Sequence, residues 1–314
     1  QTDVEDAWKK VREKTFGAPA VRPRRVLKWL KYAAVVIPVS LSLSLWYAWK
    51  EKMENKQATV ACLSPVLTLD NGEKYQLDPE EQTEIYVDEE VKAYQAGGGL
   101  IYDTTARQEE NKYNRIEVPR GSEYWIVLPD GTRVWLNAET ELTYPTVFGK
   151  GERKLMLKGE ACFEVVTDTA RPFIVESFYN RVEVLGTRFN VSAYTGKSAV
   201  KTTLLRGKVK VSNRKGQLVL SPGEQAVCLE EEIEKCEVDA RAVAAWVDGT
   251  FEFENMSLGE ITDQLGRWYD VDFVFADPQL KAITFTGAAT RFRELDFVLR
   301  MLEELARVRF QLEN

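Results

Sequence analysis

Two cysteines of this 314-residue chain have the spacing of a cross-strand pair. Cys228 and Cys236 flank Glu230–Glu232, an acidic stretch typical of a turn between two strands. Opposed positions on paired strands bring two cysteines close enough for a disulfide. The alternative is that both thiols are free, because the spacing fits no metal-binding motif and paired strands need no covalent link. Cys62 suggests no role, and Cys162, between Ala and Phe, is predicted to be a small buried apolar residue.

Several kinds of chemistry are excluded by composition. The chain has no histidine, so it has no Ser-His-Asp triad, no Cys-His pair and no histidine-ligated zinc. The acidic runs at 80–81, 89–90 and 230–232 lack the Asp-x-Asp-x-Asp-Gly spacing of a calcium loop. They are interpreted as solvated surface, and no metal or cofactor is expected. The net charge of -7 argues against a nucleic-acid partner. The composition therefore excludes catalysis that depends on histidine.

An apolar segment near the N-terminus has the length of a membrane span. The 18 residues from Tyr32 to Trp49 carry no charge, and extension to Trp29 gives a helix of about 31 Å, against a hydrocarbon core of about 30 Å. Trp and Tyr residues lie at both ends, as in the aromatic belts of spanning helices. The sequence predicts a transmembrane helix over 29–49. The alternatives are a cleaved signal peptide and a buried helix of a soluble domain.

The charges beside this segment predict its orientation. Residues 1–31 contain nine Lys/Arg and four Asp/Glu, whereas the basic residues after the span are interleaved with glutamates. An excess of basic residues before a span favours a cytoplasmic N-terminus. The sequence therefore predicts a single-pass membrane protein whose large C-terminal body lies outside the cytoplasm.

The body of the chain changes pattern twice. Residues 50–115 are weakly patterned and are interpreted as a lead-in whose strands join the domain that follows. Residues 116–238 alternate short β-branched and aromatic runs with Gly, Pro and Asp turns, which predicts an all-β domain. Within it, Trp125 and Trp135 are predicted to be core residues, with a carbohydrate-binding platform as the alternative.

Residues 239–314 are predicted to form a small α+β domain of order βαββαβ. Ser257 and Glu260 match a capping box, and the first helix follows them with apolar residues at intervals of three and four. The second helix is centred on Val298 and Leu302. The predicted strands are Thr250–Phe253, Val271–Phe275, Ala282–Thr286 and Val308–Leu312. The fold class is thus mainly β, with one transmembrane helix, an all-β domain and this small domain.

Six motifs follow one another between residues 118 and 226. They are Val118-Pro-Arg-Gly-Ser-Glu-Tyr124, Leu128-Pro-Asp-Gly-Thr-Arg-Val-Trp-Leu-Asn137, Gly159-Glu-Ala-Cys-Phe-Glu-Val165, Arg171-Pro-Phe-Ile-Val175, Val184-Leu-Gly-Thr-Arg-Phe-Asn-Val191 and Pro222-Gly-Glu-Gln-Ala226. Together they resemble the FecR family of anti-sigma factors. Leu258, Trp268-Tyr269, Asp277-Pro278 and Phe285-Thr-Gly287 resemble the small domain that ends such proteins in Bacteroides-like bacteria. That domain is similar to the signalling domains of outer-membrane secretins and TonB-dependent transporters.

The resemblance implies a transmembrane signal relay, that is, a protein that is not an enzyme. An N-terminal cytoplasmic segment holds an extracytoplasmic-function sigma factor, and the periplasmic part contacts the signalling domain of an outer-membrane TonB-dependent transporter. The location implied is the inner membrane, with the body in the periplasm, and periplasmic and membrane proteases are further candidate partners. The alternative is a membrane-anchored periplasmic ligand-binding module without a sigma partner.

The cytoplasmic segment over 1–28 is shorter than the helical domain of the family, which suggests an N-terminal truncation. Residues 3–14 resemble the last helix of that domain. Val4, Ala7, Trp8 and Val11 lie on one face of this helix and are the predicted sigma-factor contacts.

The resemblance also draws attention to Gly186 and Thr187. Some members of the family cleave themselves at a Gly-Thr bond in a matching motif. The threonine hydroxyl can attack the preceding carbonyl if the peptide is strained, and glycine permits unusual backbone angles. The sequence reveals no base to activate the hydroxyl. The alternative is a glycine bulge in a strand.

Overall fold

Short strands with alternating buried and exposed side chains are the most abundant elements in the described part of this chain. The computed structural model describes residues 64–78, 82–86, 92–102, 112–197, 199–306 and 308–311. The β domain comprises the described residues up to 238, and the C-terminal domain comprises residues 240–311. The mainly β character of the described chain agrees with the sequence prediction.

The β domain contains eighteen strands within the described residues. They are β1 (Val66–Thr68), β2 (Lys74–Gln76), β3 (Thr83–Tyr86), β4 (Lys92–Ala96), β5 (Gly99–Tyr102), β6 (Tyr113–Val118), β7 (Tyr124–Val127), β8 (Arg133–Leu136), β9 (Thr140–Pro145), β10 (Arg153–Glu164), β11 (Phe173–Ser177), β12 (Asn180–Val184), β13 (Arg188–Ala193), β14 (Val200–Arg206), β15 (Val209–Ser212), β16 (Gln217–Leu220), β17 (Glu224–Cys228) and β18 (Ile233–Glu237).

These strands form two sheets that share β10. The first sheet has the order β2-β1-β6-β9-β10-β11-β12-β15-β16. The second has the order β3-β4-β5-β7-β8-β10-β13-β14-β17-β18. All pairs are antiparallel except β10 with β11 and β5 with β7. Apolar side chains from both sheets form one continuous core.

The glycine at the middle of β10 lets that strand pass from one sheet to the other. Residues up to Lys158 pair with β9, and residues from Gly159 onward pair with β13. Gly159 has a φ of 96°, and a Cβ there would lie 2.6 Å from the Glu139 carbonyl oxygen. Only glycine accepts this angle and this close approach without strain. The glycine of the predicted Gly159–Val165 motif is therefore a structural residue.

The strands of the lead-in are part of the same two sheets. β1 pairs with β6, and β5 pairs with β7. Gly97 and Gly98 form the turn between β4 and β5, but Gly99 already belongs to β5. The three glycines together had the pattern of a loop. Gly99 pairs with Ala96 and Trp125 in the strand, and glycine is needed there because a Cβ would lie 2.2 Å from the Trp125 ring of β7.

The prediction that Trp125 and Trp135 are core residues was wrong. Alternation along β7 and β8 points Tyr124 and Val134 into the core, so the two tryptophans face outward and are half-buried. They are direct cross-strand partners. The Arg188 guanidinium lies 5.8 Å from the Trp135 ring centroid.

The C-terminal domain has two strands and three helices within the described residues. In chain order these are α1 (Ala240–Ala244), β19 (Thr250–Ser257), α2 (Leu258–Tyr269), β20 (Thr284–Thr290) and α3 (Leu295–Ala306), with 3-10 turns at Ala245–Asp248 and Pro278–Ala282. The predicted capping box is present, because Ser257 accepts from the Glu260 amide and the Glu260 carboxylate accepts from the Ser257 amide. The apolar faces of α2 and α3 form one core with the inner face of β19 and β20.

Two strands of the predicted βαββαβ order are not formed. Residues 271–275 and 308–311 have no strand pairing. Their aromatic side chains still pack on the domain core, and the Phe273 and Phe310 rings meet edge to face at 6.1 Å between centroids. The Phe310 amide donates instead to Glu303 Oε1 at 2.7 Å, and the Val271 carbonyl accepts from Arg120. Side chains thus form hydrogen bonds with two backbone groups, the Phe310 amide and the Val271 carbonyl, that strand pairing would otherwise use. The last predicted strand ends at Leu312, beyond the described residues.

The N-terminal predictions lie outside the described residues. This applies to the predicted span over 29–49 and to Val4, Ala7, Trp8 and Val11. Among the residues that the structure describes, no helix combines the length and apolar character that a membrane crossing needs.

Candidate functional site

A cleft separates the β domain from the C-terminal domain. It encloses a cavity of about 800 Å³. Its floor is the outer face of β13, β14 and β17, which presents Asn190, Thr203 and Gln225. Its opposite wall is formed by β19 and α2. Since ligand and partner sites favour domain boundaries, this cleft is the candidate functional site.

Arg291 closes the inner end of the cleft. It follows β20 directly, and only 2% of its surface is exposed. Its NH1 donates to Glu123 Oε2 at 3.0 Å, and its NH2 donates to Asn137 Oδ1 at 2.7 Å. Glu123 precedes β7 and Asn137 follows β8, so the antiparallel register of these strands brings both acceptors to one end. The guanidinium also lies 3.7 Å from the Trp268 ring centroid, a cation–π contact.

Burial sets the electrostatics of this ion pair. It lowers the pKa of Arg291, and the negative charge of Glu123 opposes the shift. Burial likewise raises the pKa of Glu123, and the charge of Arg291 opposes that shift. Arg291 therefore depends on Glu123 for compensation, because a buried charge without a partner is strongly unfavourable, whereas the Glu123 side chain is 38% exposed and is also reached by water.

A second arginine, which belongs to the β domain, holds the C-terminal domain against it. Arg120, in the turn between β6 and β7, donates to the carbonyls of Gly266 and Val271 at 2.8 and 2.7 Å. It also pairs with Asp270 and Asp272 at 3.1 and 2.9 Å. These groups lie at and just beyond the C-terminal end of α2, where unpaired carbonyls favour a cation. The turn of the Val118–Tyr124 motif is thus a docking element for the C-terminal domain.

A chain of side-chain hydrogen bonds runs from Arg291 into the β domain. Asn137 Nδ2 donates to Glu160 Oε2 at 2.8 Å, and Asn190 Nδ2 donates to Glu160 Oε1 at 3.0 Å. The Trp246 indole then donates to Asn190 Oδ1 at 3.2 Å. Asn190 belongs to β13, the strand that begins directly after Thr187. The junction therefore connects the C-terminal domain to the strand beside the Gly-Thr bond.

Ion pairs cross the mouth of the cleft. Lys201 of β14 contacts Glu260 of α2 at 3.0 Å, and Lys197 contacts Asp263. Burial alone would raise the pKa of Glu260, but the hydrogen bond and charge of Lys201, together with Ser257, hold it below its ordinary value. These pairs are about half exposed, so each stabilises the junction by about 0–1 kcal/mol.

The aromatic rings of the cleft are already covered by arginines. Arg291 lies on Trp268, and the Arg267 guanidinium is 3.9 Å from the Tyr194 ring centroid. A sugar ring needs a free aromatic face for stacking. The cleft is therefore built for polar and ionic contacts rather than as a stacking platform.

Gly186 and Thr187 lie in the turn between β12 and β13. Thr187 is buried, and its hydroxyl donates to the Lys208 carbonyl at 3.0 Å. Among the described residues no side-chain base contacts this hydroxyl. A Cβ on Gly186 would come within 2.8 Å of Thr167 Cα, which explains why glycine stands there. Close packing accounts for the Gly-Thr pair without cleavage chemistry, and self-cleavage stays an untested alternative.

We expect the purified chain to remain a single species, because a backbone carbonyl is too weak a base to activate Thr187. The measurement is a denaturing gel after overnight incubation, with Thr187→Val as the control. Two fragments that divide at Gly186 in the natural chain, and none in the variant, would instead establish self-cleavage.

The predicted Cys228–Cys236 bridge is not formed in this structure. Both thiols are free, and Cys162 is also free. The register of β17 and β18 pairs Cys228 with Ile233 and Gln225 with Cys236, so the two cysteines are not opposed. Cys228 points into the core, whereas Cys236 is exposed. The turn over residues 229–232 sets a register in which Ile233, the residue opposite Cys228, lies three positions before Cys236. Sequence spacing alone does not reveal this register.

These environments predict selective thiol labelling. Cys236 should react with iodoacetamide within minutes at neutral pH, whereas Cys162 and Cys228 should react only after unfolding. Burial raises the pKa of Cys162 to about 12 and also raises that of Cys228, which disfavours the reactive thiolate. Peptide mass spectrometry locates the label, and a mass loss of two hydrogens across Cys228 and Cys236 would reveal a bridge.

The junction residues were not singled out from the sequence. Arg120, Glu123 and Asn137 belong to motifs that were quoted, but they had the pattern of turn residues. Their partners in the C-terminal domain are more than 140 positions away. Within the described ranges no three cysteine or acidic side chains are grouped to hold a metal ion.

Comparison with known proteins identifies the family of this chain. A family model described as FecR protein matches residues 114–210, and one described as FecR, C-terminal matches residues 250–314. Two crystal structures of a candidate anti-sigma factor from Parabacteroides distasonis ATCC 8503, at 1.65 and 2.50 Å resolution, are similar to it. Each has 33% sequence identity and a TM-score of 0.60, over 64% of this chain and 95% of the other. No curated protein matches the chain. The chain belongs to the FecR family.

Proposed function

We propose that this protein is an anti-sigma factor that relays a signal across the inner membrane to an extracytoplasmic-function sigma factor. The observation that carries the proposal is the family match over both the β domain and the C-terminal domain. The similarity to a candidate anti-sigma factor at 33% identity supports the same role. The role is regulatory and requires no chemistry on a substrate.

The relay that we propose has three parts. The C-terminal domain receives the signalling domain of an outer-membrane TonB-dependent transporter in the periplasm. The segment over 29–49 crosses the membrane once. The segment over 1–28 contacts the sigma factor through Val4, Ala7, Trp8 and Val11, and periplasmic and membrane proteases can act on the chain during signalling.

The junction supports a relay through the whole body of the protein. Arg120 and Arg291 hold the C-terminal domain against the β domain through buried or half-buried hydrogen bonds. A partner that binds the C-terminal domain therefore acts on both domains, because their contacts are polar, specific and mutually compensating. Independent domains on a flexible linker would transmit no such change.

The alternative is a membrane-anchored periplasmic ligand-binding module without a sigma partner. A cleft of about 800 Å³ is the observation in its favour. Against a glycan ligand, the faces of Trp268 and Tyr194 are covered by arginine side chains. A module of this kind would leave transcription unchanged when it is deleted.

Transcription is therefore the readout that separates the two functions. We expect deletion of the gene in its native host to change the expression of a discrete set of genes, including one for an outer-membrane transporter. Complementation with the natural chain should restore the pattern, and a chain that lacks residues 1–28 should not. An unchanged transcript profile under conditions that induce the transporter would contradict the proposal.

A further inference from the structure

The second sheet of the β domain ends in an open strand edge. Its last strand, β18, pairs with β17 and with no other strand of the described residues. Its four residues from Glu234 to Glu237 are all exposed, although the strand lies beside a buried one. The helix α1 follows directly, but it packs over β14, which lies on the other side of β17. The backbone groups at such an edge are available to another strand.

The hydrogen bonds of the β17–β18 hairpin determine which backbone groups point outward. Bonds of 2.9 Å close the hairpin at both ends, and they run from the amides of Leu229 and Val238 to the carbonyls of Glu232 and Gly223. Bonded and non-bonded pairs alternate between these ends, so every second residue of β18 has its amide and carbonyl turned away from β17. These residues are Ile233, Lys235 and Glu237.

A second copy of the same strand can pair with this edge in only one favourable register. Outward groups must meet outward groups, so the two-fold axis passes through a residue of β18 that faces its own copy. An axis through Glu234, Lys235 or Glu237 would oppose like charges directly, which is destabilising. An axis through Ile233, at the end of the strand, would pair little of it. An axis through Cys236 opposes Lys235 of each copy to Glu237 of the other, which is favourable.

The side chains of β18 fit this register. Lys235 contacts Glu224 of its own chain at 2.7 Å, whereas Glu237 has no ion pair among the described residues. Lys235 of a second copy therefore supplies the counter-charge that Glu237 lacks. The two Cys236 residues form the non-bonded pair at the centre, where Cα atoms lie about 4.5 Å apart. That separation falls within the range of about 4.4–6.8 Å that a disulfide requires.

We propose that two copies of this protein associate by antiparallel pairing of their β18 strands, about a two-fold axis through Cys236. Charged side chains at an edge usually prevent such pairing. Here the order Lys235-Cys236-Glu237 places opposite charges together instead. The interface is smaller than the standard size of about 1,600 Å², so the dimer is weak and reversible. The inference rests on the strand geometry and does not depend on the sigma partner.

The first test is sedimentation equilibrium of the purified full chain in a mild detergent, under reducing conditions and over a range of concentrations. We expect a monomer–dimer equilibrium. Lys235→Pro removes an outward amide from each copy and should weaken the dimer at least tenfold. The β17–β18 hairpin should persist, because an edge strand tolerates proline where the amide faces solvent. Circular dichroism checks that the variant folds.

Val219→Pro, on the edge strand β16 of the first sheet, is the matched control. The Asn213 amide donates to the Gly216 carbonyl at 3.0 Å, so alternation along β15 and β16 turns the Val219 amide outward as well. This variant should dimerise like the natural chain. An equal loss of dimer in both proline variants would overturn the proposal, because the effect would not belong to β18.

Charge reversal tests the register. Lys235→Glu and Glu237→Lys each oppose like charges across the axis, so each should weaken the dimer at least threefold. The double variant Lys235→Glu/Glu237→Lys restores opposite charges and should recover the natural affinity to within threefold. A double variant as weak as the single ones would overturn this register.

Oxidation with diamide tests the central pair directly. Diamide takes one hydrogen from each of two opposed thiols and is reduced to the hydrazine, and one S–S bond joins the copies. We expect a covalent dimer whose linked peptides both contain Cys236. It should be absent in Cys236→Ser and retained in Cys62→Ser. A chain that stays monomeric at every concentration would overturn the proposal, and so would a dimer that forms no Cys236 cross-link.

Discussion

Replacing Arg291 by alanine is expected to destabilise the folded chain by about 2–3 kcal/mol, because a fully buried side chain loses its hydrogen bonds and its packing against Trp268. Arg291 is 2% exposed and donates to Glu123, to Asn137 and to the Trp246 carbonyl at 3.1 Å. Its loss leaves the partly buried Glu123 carboxylate without its counter-charge. The measurement is urea-induced unfolding, followed by circular dichroism and tryptophan fluorescence.

Two further variants show whether the effect belongs to this site. Arg291→Lys keeps the charge but loses the planar fork that reaches Glu123 and Asn137 together, so it should also be clearly destabilised. Arg300→Ala, on the exposed side of α3, removes an arginine whose side chain donates one hydrogen bond to its own helix, at 3.2 Å. It should change stability by less than about 1 kcal/mol. If Arg291→Ala proved as stable as Arg300→Ala, the junction would not be the anchor described above.

The second large effect is expected inside the β domain, for Asp130→Ala. Asp130 lies in the Leu128–Asn137 motif and pairs with Arg153 at 2.8 Å, and both side chains are almost fully buried. Arg153 also donates to the carbonyls of Arg171 and Val166, both at 2.9 Å. These carbonyls carry no full charge, so the guanidinium would remain uncompensated. We expect a loss of about 3–5 kcal/mol in the free energy of unfolding.

A double variant separates loss of charge compensation from loss of packing. Asp130→Ala/Arg153→Met removes both charges and keeps an apolar chain against Phe173, so it should be more stable than Asp130→Ala alone. The exposed pair of Lys215 and Glu231, at 2.7 Å, provides the control. Glu231→Ala should cost about 0–1 kcal/mol. A double variant less stable than the single one would contradict this explanation.

The local sequence pattern predicted which strands and helices form better than it predicted which of them contact one another. The alternating runs from Tyr124 to Leu136 predicted β7 and β8, and the Ser257–Glu260 capping box predicted the start of α2. Both signals arise within one element. The fold class followed from them because strand after strand showed the same alternation.

Long-range pairing could not be predicted in the same way. Arg291 and Glu123 are 168 positions apart, and a lone arginine after a strand has the pattern of an exposed residue. Whether Trp125 faces outward depends on which residues of its strand point into the core. The separation of Cys228 from Cys236 depends on a hairpin register that the turn length sets. These three features could not be predicted from the sequence, because each depends on a contact between different elements of the fold.

Affinity capture of the tagged protein from native membranes tests the central claim most directly. Mass spectrometry of the captured material should identify one extracytoplasmic-function sigma factor. Its recovery should fall sharply when Trp8 and Val11 are replaced by alanine, and it should be lost when residues 1–28 are deleted. Arg291→Met, which alters only the junction between the β domain and the C-terminal domain, should still capture it. Recovery of no sigma factor by the natural protein, under conditions that preserve membrane complexes, would contradict the assignment as an anti-sigma factor.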